Sequence, residues 1–135
     1  MTNSIIYLIA PIVGYVSAGT LKFIINSIKQ RGLAFSEIGL GNFPSTHNCI
    51  VSTSYFSIAL TQGFTSPISG VALSLCLIVT IDSIDLRNKI ESHAKLLNEL
   101  SSTETKIKTK IGHKLHEVLG GHLLGLTLAL ILIRL

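Results

Sequence analysis

Charge is scarce in this sequence. Lys, Arg, Asp and Glu make up 13% of its 135 residues, 47% are hydrophobic, and the mean hydropathy is +0.58. A soluble domain carries about 25% charged residues, so the deficit argues against an ordinary water-soluble globule and for lipid as part of the solvent. Tryptophan is absent and aromatics amount to 6%. That leaves little material for an interfacial aromatic belt. Basic residues are not interleaved with stacking side chains, which makes nucleic acid a poor fit as a partner. Only two cysteines occur, Cys49 and Cys76, both in apolar stretches. They are too few for a disulfide framework, and buried thiols are the plain reading. The first residues lack the basic region and small-residue cleavage site of a secretory signal, so the first apolar run reads as a retained membrane helix.

What is present is a set of apolar runs separated by short polar islands. The first run covers residues 5–28, interrupted late by Lys22 and Asn26. A bilayer crossing takes about 20 residues, so residues 5–21 barely span and Lys22 falls near the interface. Lys29, Arg31 and Gly32 follow, and residues 33–44 form a glycine-containing loop open to a re-entrant course. A second run, 48–60, is rich in Ser and Thr, tolerable in lipid where hydroxyls bond back to the helix or face neighbours. Residues 62–67 read as a turn with Ser66 or Pro67 opening the next helix. The third run, 68–81, is expected to end at Asp82. Residues 85–100 change character: Leu86, Ile90, Leu97 and Leu100 form one stripe among charges, the pattern of an amphipathic surface helix. Residues 101–110 read as a mobile Lys-rich linker. The last run, 118–135, carries Gly120, Gly121 and Gly125, which permit close helix approach.

These runs predict an all-α integral membrane bundle, one domain over residues 1–135, with about four transmembrane helices and one amphipathic cytoplasmic helix. The positive-inside rule puts the loops after runs one and three in the cytoplasm. Lys22, Lys29 and Arg31 lie at the first, and Arg87, Lys89, Lys95, Lys106, Lys108, Lys110 and Lys114 at the second. The net charge of +4 suits anionic headgroups or phosphate.

Two histidine islands then share one side. His113 and Glu117 are four apart, one face of a helix. A carboxylate on one imidazole nitrogen leaves the other nucleophilic; the plain alternative is an ordinary acidic helix start. His47 follows Pro44-Ser45-Thr46. Ser45 or Thr46 could cap a helix whose free N–H groups bind phosphate oxygen, with His47 as general acid; the plain alternative is a capped helix with a surface histidine. Lys22 and Arg31 could be interfacial anchors or phosphate contacts. Asp82 and Arg87 read as an ion pair, or as a site in which Arg87 grips phosphate. A metal set from His113, His116 and Glu117, with Asp82 or His122 in reserve, is ranked lower, because Gly120 stands where the helical zinc motif needs its second histidine.

Taken together and in order, Lys22 to Arg31, Gly41 to His47, Asp82 to Arg87 and Gly112 to Gly121 resemble the divergent branch of the type 2 phosphatidic acid phosphatase superfamily. That superfamily is related to bacterial acid phosphatases and vanadium haloperoxidases, and the likeness covers about residues 21–130. The resemblance implies metal-independent, cofactor-free hydrolysis through a phosphohistidine. His113 would be the nucleophile, Glu117 its orienting carboxylate in place of the usual Asp, and His47 the acid for the leaving group. Ser45, Lys22 and Arg31 would contact phosphate. The superfamily's third-motif arginine would fall at Ile107; Arg87 is its expected substitute, with Lys106 and Lys108 as lesser candidates. The implied substrate is a lipid phosphate monoester or pyrophosphate. The competing reading is a non-catalytic membrane protein that binds anionic lipid or scaffolds a partner. Four short helices are few to enclose both a lipid and a site, which leaves a homodimer as an option.

Overall fold

The computed structural model describes residues 2–34, 42–101 and 106–135. The expected loop at 33–44, including Gly41, and the linker at 101–110 therefore lie partly outside the described residues. The chain is an all-α membrane bundle. In order come α1 (Thr2–Gln30), α2 (Thr46–Gln62), α3 (Pro67–Ile81), a π-turn (Asp82–Leu86), α4 (Arg87–Leu100) and α5 (Leu115–Leu132). Among the described residues, three stretches are long and apolar enough to cross a bilayer: Ser4–Gln30, Pro67–Leu100 and Leu115–Leu132. The remaining helix, α2, has 17 residues, about 25 Å at 1.5 Å per residue. It sits centrally and packs against α1, α3 and α5.

The interior mixes small apolar residues with many polar ones, and the outside is apolar. On α2 the buried residues are Asn48, Cys49, Val51, Ser52, Thr53, Ser57 and Ala59, while Ile68, Val71, Leu75, Ile78 and Ile81 of α3 are exposed. Water could not hold such a bundle together, because its apolar surface faces out. Lipid can, since packing and interhelical hydrogen bonds drive association there. The hydroxyls bond back as expected: Thr53 Oγ1 to the Cys49 carbonyl at 2.8 Å and Thr80 Oγ1 to Cys76 at 2.8 Å. Small residues set the α2–α5 spacing. A Cβ on Gly121 would come within 2.5 Å of the Ser45 carbonyl oxygen, and one on Gly125 within 2.6 Å of Ser52 Cβ.

Helix ends follow local chemistry. Ser66 Oγ accepts from Ser69 N, with Pro67 at the first turn of α3, as the sequence predicts. At the end of α1, Arg31 takes a left-handed φ of 52°. The Arg31 N–H bonds to Ile28 O and the Gly32 N–H to Ser27 O, which satisfies two terminal carbonyls in the Schellman pattern.

Two expectations need correction. Asp82 does not end a helix: the chain stays helical from Pro67 through Leu100. No Gly or Pro follows Gly70 within it, and Asp82 and Asp85 are paired with Arg87 and Lys89 at 2.6 and 2.8 Å. Its 34 residues extend about 51 Å, against a hydrocarbon core of about 30 Å, so α4 projects beyond the lipid. The described part of the Lys-rich linker is also held rather than free. Asn98 exchanges two 2.8 Å hydrogen bonds with the backbone of Ile107. Glu91 Oε2 accepts the N–H of Ile111 at 3.3 Å and of Gly112 at 3.1 Å.

Candidate functional site

The two histidine islands meet at one end of the bundle, where α1 and α3 arrive and α2 and α5 depart. A direct backbone bond joins them: Ser45 N–H donates to Glu117 O at 2.9 Å. His113 precedes the first turn of α5 and is buried, at 4% exposure. Its Nδ1 lies 3.0 Å from Glu117 Oε2, and the same oxygen accepts the Lys114 N–H at 3.0 Å. Glu117 thus caps α5 and orients the imidazole with one atom. Because Nδ1–H is the donor to a carboxylate, Nε2 keeps its lone pair. The His113 backbone is clamped from α3–α4: its N–H donates to Ser83 O at 3.3 Å, and its carbonyl accepts from Asn88 Nδ2 at 3.4 Å.

Cations surround this imidazole. Burial pulls the His113 pKa below its ordinary value. The hydrogen bond to Glu117 opposes that, and the charges of Lys22 and Arg87 add to it. His47 is exposed and feels the charges of Arg87, His113, Lys22 and Asp82. Lys22 is buried, at 8% exposure, within electrostatic reach of Glu117. Lys22, His47, Arg87, His113 and Glu117, drawn from α1, α2, α4 and the start of α5, therefore act on one another.

The π-turn explains how Arg87 joins. Residues five apart on an α-helix are about 140° apart around the axis. Here the Arg87 N–H bonds to Asp82 O across the wider turn, and Arg87 Nε reaches Asp82 Oδ2 at 2.6 Å. The two side chains share a face, and the terminal nitrogens of the guanidinium are not the atoms in that pair. Helix widenings of this kind recur at functional sites. Ile107 is exposed and held through its backbone, and Lys106 and Lys108 are exposed, so Arg87 is the arginine that reaches the histidines.

Arg31 is not drawn in by any hydrogen bond or ion pair among the described residues; it is exposed and its backbone closes α1. Ser45 is at the site but fully buried, and its Oγ accepts from Asn48 Nδ2 at 2.9 Å. It stands at the N-cap of α2 without a side-chain capping bond. The Cys49 N–H bonds back to Ser45 O at 3.0 Å, and among the described residues the Thr46, His47 and Asn48 N–H groups meet no acceptor, in keeping with an anion-binding helix start. Among the described residues no three His, Cys, Asp or Glu side chains gather as a metal group. His116 is exposed, and His122 is engaged deeper in the bundle by Ser52 and Thr80.

Sequence reasoning passed over Asn48, Thr80, Ser83, Asn88 and Glu91. Asn48 carried a usable signal, a carboxamide inside an apolar run. Thr80 depends on how α3 packs against α2 and α5, and Ser83, Asn88 and Glu91 depend on α4 continuing from α3, which no local pattern gives.

No solved structure matches this chain. An "Uncharacterized membrane protein YuiD" from Bacillus subtilis (strain 168) is 25% identical over 145 residues, covering 93% of this chain and 92% of that protein. A family model, described as the Divergent PAP2 family, matches residues 2–128. With nearly the whole length matched, and the histidine islands inside the match, the chain belongs to the Divergent PAP2 family.

Proposed function

We propose that this protein is a membrane phosphatase that hydrolyses a lipid phosphate monoester or a pyrophosphate through a phosphohistidine. The observation that carries this reading is the 3.0 Å bond from His113 Nδ1 to Glu117 Oε2, within the field of Lys22, Arg87 and His47. A buried imidazole with one nitrogen committed to a carboxylate and cations around it is suited to attack a phosphoryl group.

His113 Nε2 forms a bond to phosphorus as the bond to the leaving oxygen breaks. That oxygen takes its proton from His47, and the alcohol departs. A water molecule then gives its proton to His47, attacks phosphorus and breaks the P–N bond. Inorganic phosphate is released and His113 returns to its starting state. Lys22, Arg87 and the first-turn N–H groups of α2 balance charge on the equatorial oxygens. Ser45 supports the first turn of α2, which carries His47, and Arg31 meets the headgroup region. The acyl or prenyl chain enters sideways between helices. The basic loops favour a cytoplasmic face of the cell membrane, which suits a phosphatidate-like or phosphatidylglycerophosphate-like substrate.

The test is phosphate release by purified protein, with EDTA present, across a panel of lipid phosphates. Wild type is compared with His113→Ala and His47→Ala. Activity in EDTA that is lost in both variants supports the reading. No release from folded wild type on any substrate overturns it in favour of a lipid-binding or scaffolding role.

A further inference from the structure

Below the histidines runs a buried hydrogen-bond network that the reaction above does not use. At its centre is Asn48, fully buried and next in sequence to His47. Its Nδ2 donates to Ser45 Oγ and to Ser83 Oγ, both at 2.9 Å. Its Oδ1 accepts from Thr80 Oγ1 at 3.0 Å.

The direction of these bonds follows from proton counting. Ser83 has one hydroxyl proton, and it goes to the Val79 carbonyl at 2.8 Å. Ser83 Oγ can therefore only accept from Asn48, so the amide NH₂ and not the oxygen faces it. The Thr80 proton serves Asn48 Oδ1 or the Cys76 carbonyl, both acceptors. His122 Nε2, 3.0 Å from Thr80 Oγ1, is then the donor to Thr80. His122 Nδ1 is left to accept from the Ser52 hydroxyl, its other close contact. The Ser83 proton count thus sets the Asn48 amide with both donors toward Ser45 and Ser83, and Thr80, whose one proton is shared between Asn48 Oδ1 and the Cys76 carbonyl, supports that orientation.

Ser83 is the junction. Its side chain takes the bond from Asn48, and its carbonyl takes the His113 N–H at 3.3 Å. Beside the backbone bond from Ser45 to Glu117, a second path from His47 to His113 therefore runs through one buried carboxamide and one serine.

The geometry points to Asn48 as a positioning residue that fixes the span between His47 and His113 by tying the start of α2 to Ser83. The inference rests on the phosphatase reading, in which those histidines are acid and nucleophile. A loosened His47 impairs proton delivery to the leaving oxygen while His113, still held by Glu117, Asn88 and Ser83, attacks as before. The backbone bond from Ser45 to Glu117 keeps α2 docked in its absence.

The test compares two phosphate monoesters of matched chain length, an alkyl ester and a nitroaryl ester, with full-length protein in detergent. The alkyl leaving group needs the proton, and the nitroaryl one does not. A positioned general acid contributes about 10²–10⁴-fold. Asn48→Ala is expected to lower kcat on the alkyl ester by at least about 30-fold and on the aryl ester by less than about threefold, with KM unchanged. His47→Ala should show the same selectivity. Thr80→Val, nearly isosteric, removes the bond that supports this amide orientation and should shift the ratio in the same direction by about three- to tenfold. It decides the matter if Asn48→Ala fails to fold. Equal losses on both esters, or no loss on either, overturn the positioning role. If His47→Ala is selective and the Asn48 and Thr80 variants are not, only this inference falls. If folded wild type hydrolyses neither ester and none of the lipid phosphates above, the phosphatase reading falls and this inference with it.

Discussion

The most exposed part of the proposed chemistry is the pairing of His113 with Glu117, and Glu117→Gln tests it with the least change in shape. One oxygen of Glu117 takes both the His113 Nδ1 and the Lys114 N–H, each at 3.0 Å. Glutamine has only one acceptor oxygen. Set in the place of Oε2 it keeps both bonds but brings no charge to the imidazole, and a charge-assisted hydrogen bond made neutral loses about half its strength. Turned the other way, the amide NH₂ faces Nδ1, the imidazole proton moves to Nε2 and the nucleophilic lone pair is lost, together with the Lys114 bond. That wrong-tautomer effect costs a hydrolase triad about 10⁴-fold. With both orientations present, the expected loss in kcat is about 10–10³-fold, or roughly 1–4 kcal/mol at 1.36 kcal/mol per decade.

The pH profile supplies an independent sign. The nucleophile must be unprotonated, so the acid limb follows the His113 pKa, which burial and then the Lys22 and Arg87 charges lower against the pull of Glu117. In wild type that limb lies below the ordinary histidine value of about 6.5. Removing Glu117 removes the influence that raises the pKa, so the limb moves to still lower pH as the plateau falls. Initial rates from pH 4 to 8, with acid-stable and acid-labile phosphate measured after quenching, read both quantities. A loss under about threefold, or an acid limb displaced upward, refutes the orienting role of Glu117.

Three further outcomes follow from the packing and the charges. Gly121→Val places a side chain against the Ser45 carbonyl, 2.5 Å from the Cβ position. It should destabilise the α2–α5 contact by about 1–3 kcal/mol, read as a lower thermal midpoint in detergent; Gly19→Ala, with nothing within 4 Å, serves as the neutral control. Arg87→Lys keeps the charge but loses the planar fork and the Nε contact with Asp82 at 2.6 Å. A drop in kcat/KM of about 10–100-fold is expected, and wild-type kinetics would remove Arg87 from the site. Glu91→Ala frees the N–H groups of Ile111 and Gly112; their hydrogen exchange should quicken by about fivefold for a bond of about 1 kcal/mol, and unchanged protection would show that α4 does not hold the segment before His113.

Much of this protein is legible in its chain. Apolar runs flanked by Lys22, Lys29 and Arg31 on one side and by a Lys-rich stretch on the other specify a helical membrane bundle, because the cost of burying backbone and charge in lipid is a local property of composition. The pairing of His113 with Glu117 is likewise local, set by a spacing of four residues. The Ser66–Pro67 helix start and the close approach at Gly121 and Gly125 are readable for the same reason. Tertiary structure alone decided the rest. Helix continuity through Asp82 depends on a π-turn and the Arg87 pair, which bring residues five apart onto one face against the ordinary helical period. Burial of Lys22 beside Glu117, and the union of Asn48, Ser83 and His113, join residues tens of positions apart. Those contacts exist because the bundle buries polar groups of several helices together, where donors and acceptors find partners across helices as well as along one.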